Sequence, residues 1–332
     1  MSKKHSNISI FVPHIGCPNM CSFCNQRHIT GSYKAPRPSD VRSAVETALS
    51  TKNYNPKSTE IAFFGGSFTA INHNYMISLL ESAKEYVDKK LVSGIRISTR
   101  PDAINKEILT ILKKYGVTSI ELGAQSLDSN VLKMNNRGHT VTDVENASAL
   151  IKEFGFSLGI QMMTGLYCDS DELSIKTAEK IIKIKPQTVR IYPTIVLKDT
   201  DLSILYREKF YKPQTLQEAI DLASKLLLMF EEAGIDVIRL GLHSIEPDSY
   251  IAGPWHPAFS ELCQSAIFLH NAKKMLKEKG KYILYVNSSS TSKMIGQNKS
   301  NITQLEKEGY ICTVKNDDSL NNYQIVAERS TL

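Results

Sequence analysis

The sequence predicts an α/β protein whose parallel sheet carries its chemistry at one end of the strands, and three observations lead there. Short apolar runs alternate with amphipathic stretches of helical period along most of the 332 residues. Glycine-rich and polar segments follow those runs directly, where the carboxyl ends of parallel strands would place them. The spacing CxxxCxxC, made by Cys17, Cys21 and Cys24, comes straight after the first run.

Taken in order, strands are expected at 8–12, 60–64, 94–98, 119–123, 156–162 and 188–192. Asp40 is placed to cap the first helix, which buries Val41, Ala44, Val45 and Ala48; the next starts near Asn74 and buries Ile77, Leu80, Ala83 and Val87. Others begin near Ala103, Thr142 and Asp171. Leu216, Ile220, Ala223, Leu227 and Phe230 mark one face of a helix that starts near Thr215 and stops at Gly234, and that stripe is core. Six βα repeats fit a partial (β/α) barrel as well as a doubly wound sheet, because periodicity does not report closure.

The character changes after Ser244, which divides the chain into a core at 1–245 and a C-terminal α+β module at 246–332. The module should hold a helix over 258–279, strands at 281–286, 310–314 and 323–326, a serine-rich bridge at 288–292 and a helix from about Asn301. Trp255, His256 and Phe259 at its entrance read as packing residues.

With 42% hydrophobic residues the chain can bury a large core. No run of 18 apolar residues occurs, and the opening MSKKHSNIS has no apolar segment behind it, so a soluble cytoplasmic protein with reduced thiols and no membrane partner is expected. The net charge is +6, and Lys273, Lys274, Lys277, Lys279 and Lys281 crowd one region. Such a cluster either holds phosphates or forms a solvated face. Nothing in the sequence sets an oligomeric state.

Three thiolates at this spacing can ligate three corners of a 4Fe-4S cube and leave the fourth iron open to an exogenous ligand, since no fourth cysteine lies nearby. Zinc is the alternative, with His14 or His28 as fourth ligand, although zinc sites usually pair their cysteines two by two. An electron-relay cluster would want a fourth cysteine. Cys168, Cys263 and Cys312 are isolated and read as small buried hydrophobes.

Each strand end offers a candidate. Gly65 and Gly66 let the backbone turn sharply and approach a ligand, so that carbonyls and the Ser67 hydroxyl can meet an ammonium group; the same pair also suits an ordinary tight turn. Arg100 and Gln125 suit a carboxylate and ribose hydroxyls, or simply a polar barrel lining. His139 stands in a segment, 136–140, that can equally serve to cap the following helix.

The cysteine motif, with Phe23 before its last cysteine, resembles that of the radical S-adenosylmethionine (SAM) enzymes. The segments STRPD (98–102), ELGAQSLDSNVLKMNNRGHTV (121–141) and VRIYPTIVLKDTDL (189–202) are similar to the radical domain of the Elongator catalytic subunit over about residues 8–245. The resemblance implies a partial parallel (β/α) barrel of the radical SAM type, a 4Fe-4S cluster on Cys17, Cys21 and Cys24, and SAM held near Phe23, Gly65, Gly66, Ser67, Arg100, Gln125 and His139. It further implies reductive cleavage of SAM to a 5′-deoxyadenosyl radical, with tRNA wobble uridine as substrate. In 332 residues there is no room for the family's acetyltransferase domain, so a stand-alone enzyme of the short bacterial type is expected. Ser67 stands where the family usually has threonine, and MMTGLYCDS (162–170) lacks the Pro-Gly expected after the leucine. With no second cysteine cluster, the electron should come from an external flavodoxin or ferredoxin. A radical enzyme acting on a small molecule such as a porphyrin or on a protein, and a non-catalytic Fe-S RNA-binding protein, are the competing readings.

Overall fold

The computed structural model describes residues 5–12, 21–25, 34–243 and 245–330. Cys17, His14, His28 and Ser244 lie outside the described residues. Seven strands form one parallel sheet in the order β1 (Ser6–Phe11), β2 (Thr59–Phe64), β3 (Gly94–Thr99), β4 (Val117–Gln125), β5 (Ser157–Thr164), β6 (Thr188–Pro193) and β8 (Asp236–Leu240). The sheet curls into a half-barrel, because each crossover sets its strand beside the previous one and the twist accumulates in one direction. A partial barrel, not a doubly wound sheet, is thus the architecture. A two-stranded antiparallel ribbon of β7 (Val196–Leu197) and β9 (Tyr250–Ala252) follows β6.

The helices on the outer face are α1 (Pro38–Leu49), α2 (His73–Asp88), α3 (Lys106–Lys114), α4 (Ser129–Met134), α5 (Val141–Glu153), α6 (Asp171–Ile184), α7 (Asp201–Arg207) and α8 (Leu216–Glu232). Side chains of a strand alternate between faces. Ile95 and Ile97, Ile120 and Leu122, Leu158 and Ile160, and Val189 and Ile191 are buried on the helix side. Their neighbours Arg96, Glu121, Gln161 and Arg190 point into the barrel, where they contact one another.

Seven of these helices start at side chains that accept an N–H from the first turn: Asn72, Asn105, Asp128, Thr140, Ser170, Thr200 and Thr215. Asp40 is not a cap. It sits inside α1, where its carboxylate accepts the backbone N–H of Arg37 at 2.7 Å. The seventh sheet strand escapes periodicity, being only Asp236–Leu240 with Asp236 and Arg239 in its apolar run. The short helices α4 and α7 escape for the same reason of length.

Beyond them, α9 (Phe259–Met275) packs against α8, and β10 (Gly280–Val286) lies between parallel β11 (Tyr310–Asn316) and antiparallel β12 (Val326–Arg329). Two short helices, α10 (Thr291–Ile295) and α11 (Ser300–Lys307), cover this sheet's connection. The strand expected at 323–326 instead begins at Val326, because Tyr323 and Ile325 are buried plugs, the Tyr323 ring centroid lying 5.4 Å from that of Phe268. No described helix is long and apolar enough to cross a membrane.

Candidate active site

The cysteine loop is held by the segment after β4. Ser22 donates its hydroxyl to Asn135 Oδ1 at 2.8 Å and its N–H to the Asn135 carbonyl at 3.2 Å, while its own carbonyl accepts the N–H of Leu202 at the start of α7. Asn135 is fully buried and also donates to the Tyr167 carbonyl at 2.9 Å, so one side chain ties three loops together. The Cys24 N–H closes a tight turn on the Cys21 carbonyl at 3.0 Å. Arg137 Nη1 lies 3.0 Å from Cys21 Sγ, and its Nη2 donates to the Gly123 carbonyl. Cys21 and Cys24 therefore stand at the two ends of one tight turn, and Cys17 lies outside the described residues.

Behind this loop a cavity of about 250 Å³ opens inside the barrel. Phe23, Cys24, Gly65, Gly66 and Gln125 line it, together with Phe64, Ser98, Arg190 and Tyr192. Gly65 has φ +82°, and a Cβ there would approach the Val12 carbonyl oxygen to 3.2 Å; Gly66 has φ +49°. Both angles disfavour any side chain, so the turn needs its glycines. Gln125 holds φ +64° at a register shift against β5, which turns its side chain toward the cavity at a strain that a non-glycine residue rarely bears.

Ser67, Arg100 and His139 do not line the cavity. The Ser67 hydroxyl is buried, lies 2.8 Å from Thr99 Oγ1 and accepts the Arg100 N–H at 3.1 Å, so it fastens the end of β2 to the end of β3. Arg100 forks onto Asp102, with Nε donating to Oδ1 at 2.9 Å. His139 is buried with Nε2 3.2 Å from the Ala124 carbonyl and Nδ1 3.5 Å from Arg137 Nη2. Burial first, and then the Arg137 charge, push its imidazole down to about 4, so at neutral pH it is an uncharged prop for Arg137. The helix cap in that segment is Thr140, which shares a capping box with Asp143.

Sequence reasoning missed the charged floor of the cavity. Arg96 donates to Glu60 at 2.8 Å and to Glu121 at 3.0 Å; Arg190 Nη2 donates to Glu121 at 2.8 Å, and Gln161 adds a bond at 3.0 Å. Two arginines and the Gln161 amide outweigh the burial of Glu121 and hold its carboxyl below the ordinary range. The Arg190 guanidinium also stacks over the Phe64 ring, 5.1 Å from its centroid. A signal was available: Ile-Arg-Ile, Ile-Glu-Leu and Val-Arg-Ile each set one charge between aliphatics in a strand, the mark of a polar barrel interior.

Of the remaining cysteines Cys263 is buried, with its thiol pushed up to about 12 by desolvation, and Cys312 is half-buried. Cys168 is a correction. It is exposed with φ +61°, because the loop after β5 reverses there and turns it away from the core.

The site fits the cofactors the motif calls for. Among the described residues, Ser98 Oγ and Gln125 Oε1 are buried at the cavity without a hydrogen-bond partner, the glycine turn leaves room against the backbone, and Arg137, whose Nε likewise lacks a partner there, sits at Cys21. Buried polar groups are rarely left unmatched, so these atoms suit a polar ligand.

An open parallel half-barrel with a cysteine loop at the mouth of a largely apolar cavity, into which a few polar side chains reach, suits an iron-sulfur enzyme. The chain belongs to the Radical SAM superfamily, whose profile matches residues 11–181, and the Radical_SAM C-terminal domain matches 186–267. Members of this superfamily bind a 4Fe-4S cluster and SAM. The chain is 30% identical over 186 residues to the tRNA uridine(34) acetyltransferase of Methanocaldococcus jannaschii, covering 50% of this chain and 34% of that protein. It is 27% identical over 256 residues to Elongator complex protein 3 of Bos taurus, covering 65% and 47%. The chain thus spans less than half of either relative. Among solved structures, the archaeal Methanocaldococcus infernus Elp3 with an N-terminal deletion has the same fold, with a TM-score of 0.61 at 21% identity over 83% of this chain and 66% of that one.

Proposed function

We propose that this chain is a radical SAM enzyme that modifies the wobble uridine of tRNA, working in the cytoplasm with an external electron donor. The observation that carries the catalytic part is that Cys24 lines a cavity at which the Ser98 and Gln125 oxygens have no partner among the described residues. The tRNA part rests on similarity to proteins named tRNA uridine(34) acetyltransferase and Elongator complex protein 3. The division into a core at 1–245 and a module at 246–332 belongs to the same reading; it is supported by the change from the seven-stranded sheet to the separate sheet of β10, β11 and β12.

Cys17, Cys21 and Cys24 would hold the cluster, which with SAM supplies a 5′-deoxyadenosyl radical for hydrogen abstraction. The chain's own residues do the rest. The backbone at Gly65 and Gly66 receives the ammonium of the methionyl group, and Gln125 and Ser98 address the ribose hydroxyls. Arg137 takes the carboxylate role first given to Arg100, since Asp102 already neutralises Arg100 whereas Arg137 meets, among the described residues, Cys21, a carbonyl and the neutral His139 but no carboxylate. Phe23 and Phe64 exclude water from the cavity, and Ser67 and His139 support the turn and Arg137 from behind.

The test compares modified nucleosides in tRNA from cells with and without this gene. Loss of a uridine-34 modification is the expected result. An unchanged tRNA profile, alongside 5′-deoxyadenosine formation by the purified protein under reducing conditions, replaces the RNA reading with a small-molecule or protein substrate.

A further inference from the structure

The turn after α4 grips the cysteine loop at two neighbouring residues. Asn135 holds Ser22 through two bonds, from hydroxyl to side-chain oxygen at 2.8 Å and from N–H to backbone carbonyl at 3.2 Å. Two residues further on, Arg137 sets Nη1 3.0 Å from Cys21 Sγ. Asn136 between them takes φ +54°, and the Arg137 N–H returns to the Leu132 carbonyl at 3.0 Å, so the reversal that ends α4 also sends the guanidinium back to the loop. Because Ser22 is fastened to the same turn, Arg137 and Cys21 are fixed relative to each other.

The guanidinium is held from its other side by the end of β4. Nη2 donates to the Gly123 carbonyl and lies 3.5 Å from Nδ1 of His139, whose Nε2 is in turn 3.2 Å from the Ala124 carbonyl. A carbonyl only accepts, so Nε2 carries the ring's proton and Nδ1 turns its lone pair toward Arg137. No carboxylate among the described residues pairs with Arg137, so its charge stands uncancelled beside Cys21. Its three kinds of nitrogen divide the work: Nη1 faces the sulfur, Nη2 holds the side chain in place, and Nε, without a partner among the described residues, is left for the SAM carboxylate.

We propose that Arg137 sets the reduction potential of the cluster through an N–H···S bond from Nη1 to the Cys21 sulfur, an inference that rests on the radical SAM reading of the site. Reduction by one electron from the external donor adds negative charge that a thiolate ligand shares, and no bond forms or breaks at the arginine. A donor and a cation aimed at that sulfur favour the reduced form, which raises the potential. An electron therefore enters more readily than it would at a cysteine left without such a donor. His139 reaches only the guanidinium and a carbonyl, so it is a positioning residue whose lone pair keeps Arg137 turned toward the loop.

The experiment uses the anaerobically reconstituted protein without SAM, so that the carboxylate role of Arg137 does not enter. The midpoint potential is read by electron paramagnetic resonance in a titration with dithionite, and iron is counted beside it. Arg137→Met should keep its iron yet be reduced at least tenfold less favourably, a fall of about 59 mV or more for a one-electron couple. His139→Leu, which loses the acceptor, should shift the potential the same way by less, and His139→Asn, whose oxygen can stand in for Nδ1, should recover it. Arg100→Met, whose arginine Asp102 already claims, should leave it in place. An unchanged potential in Arg137→Met overturns the proposal, as does an equal fall in Arg100→Met; a wild-type potential in His139→Leu removes the positioning role of His139. Should Arg137→Met fail to hold iron, the wild type decides with isotopically labelled guanidinium nitrogens: pulsed resonance of its reduced cluster should show coupling to a labelled nitrogen, and the absence of that coupling overturns the proposal. A wild-type protein that takes up no cluster would be a different result, sinking the radical SAM reading of the site itself.

Discussion

At the scale of single residues, the glycine turn and Arg137 make the sharpest claims. Gly66→Val places a branched side chain on a left-handed backbone beside the cavity, so the protein should keep its iron yet lose SAM cleavage, which absorbance and product assays separate. Normal turnover would reduce Gly65 and Gly66 to a structural turn. Arg137→Gln should raise the KM for SAM roughly tenfold or more, the worth of a charge-assisted hydrogen bond, while Arg100→Gln changes it less. Equal effects would return the carboxylate role to Arg100. Asp169 supplies a pH signature. Burial raises its carboxyl to about 6, against hydrogen bonds from Ser174 and the Gly165 N–H that favour the charge. Because the folded state holds this proton more tightly than the unfolded chain, its contribution is full below the unfolded value and is lost as pH rises toward 6. Asp169→Asn should therefore stabilise the protein above pH 6, by at most about 3 kcal/mol, and have little effect near pH 4. Thermal melts at both pH values decide it.

At the scale of elements, six of the seven sheet strands were legible because each is an apolar run that ends in a polar segment, and the long helices because their apolar residues recur at helical spacing. Asp236–Leu240 was not legible, since five residues with two charges carry no period. Spacing singled out the cysteines and the strand ends singled out Gln125, and Cys24 and Gln125 do line the cavity, but neither signal carried the partner of any side chain. Arg100 and Arg137 are equally plausible in a string of letters, and only the fold shows that Asp102 claims the first. Likewise Asn135, which fastens the cysteine loop, lies over a hundred residues from Ser22, and no local pattern joins them. The barrel floor makes the element-scale prediction. Glu121→Gln leaves two buried guanidinium groups undercompensated and should cost about 3–5 kcal/mol, read as a lower denaturation midpoint. A change below 1 kcal/mol would mean that water reaches this layer.

At the scale of the whole molecule, the lysine cluster that suggested RNA contact is partly spent within the protein. Lys273 pairs with Glu308 at 2.5 Å, which leaves Lys274, Lys277, Lys279 and Lys281 as the exposed members. If they grip phosphates, reversing Lys274 and Lys277 to glutamate should weaken tRNA binding and flatten its salt dependence, with SAM cleavage unaffected. An unchanged slope would make the cluster a solvated face.

The floor of the barrel also bears on how the chain is made. Glu60, Arg96, Glu121 and Arg190 come from β2, β3, β4 and β6, so the charges cancel only once strands from four different repeats are in place. A nascent chain that has left the ribosome only as far as β5 holds Glu121 against one arginine rather than two. Its half-built sheet lacks the second countercharge. The full set of charges meets only when Arg190 arrives, so assembly of the barrel is expected to be late and concerted during synthesis rather than a repeat-by-repeat accretion.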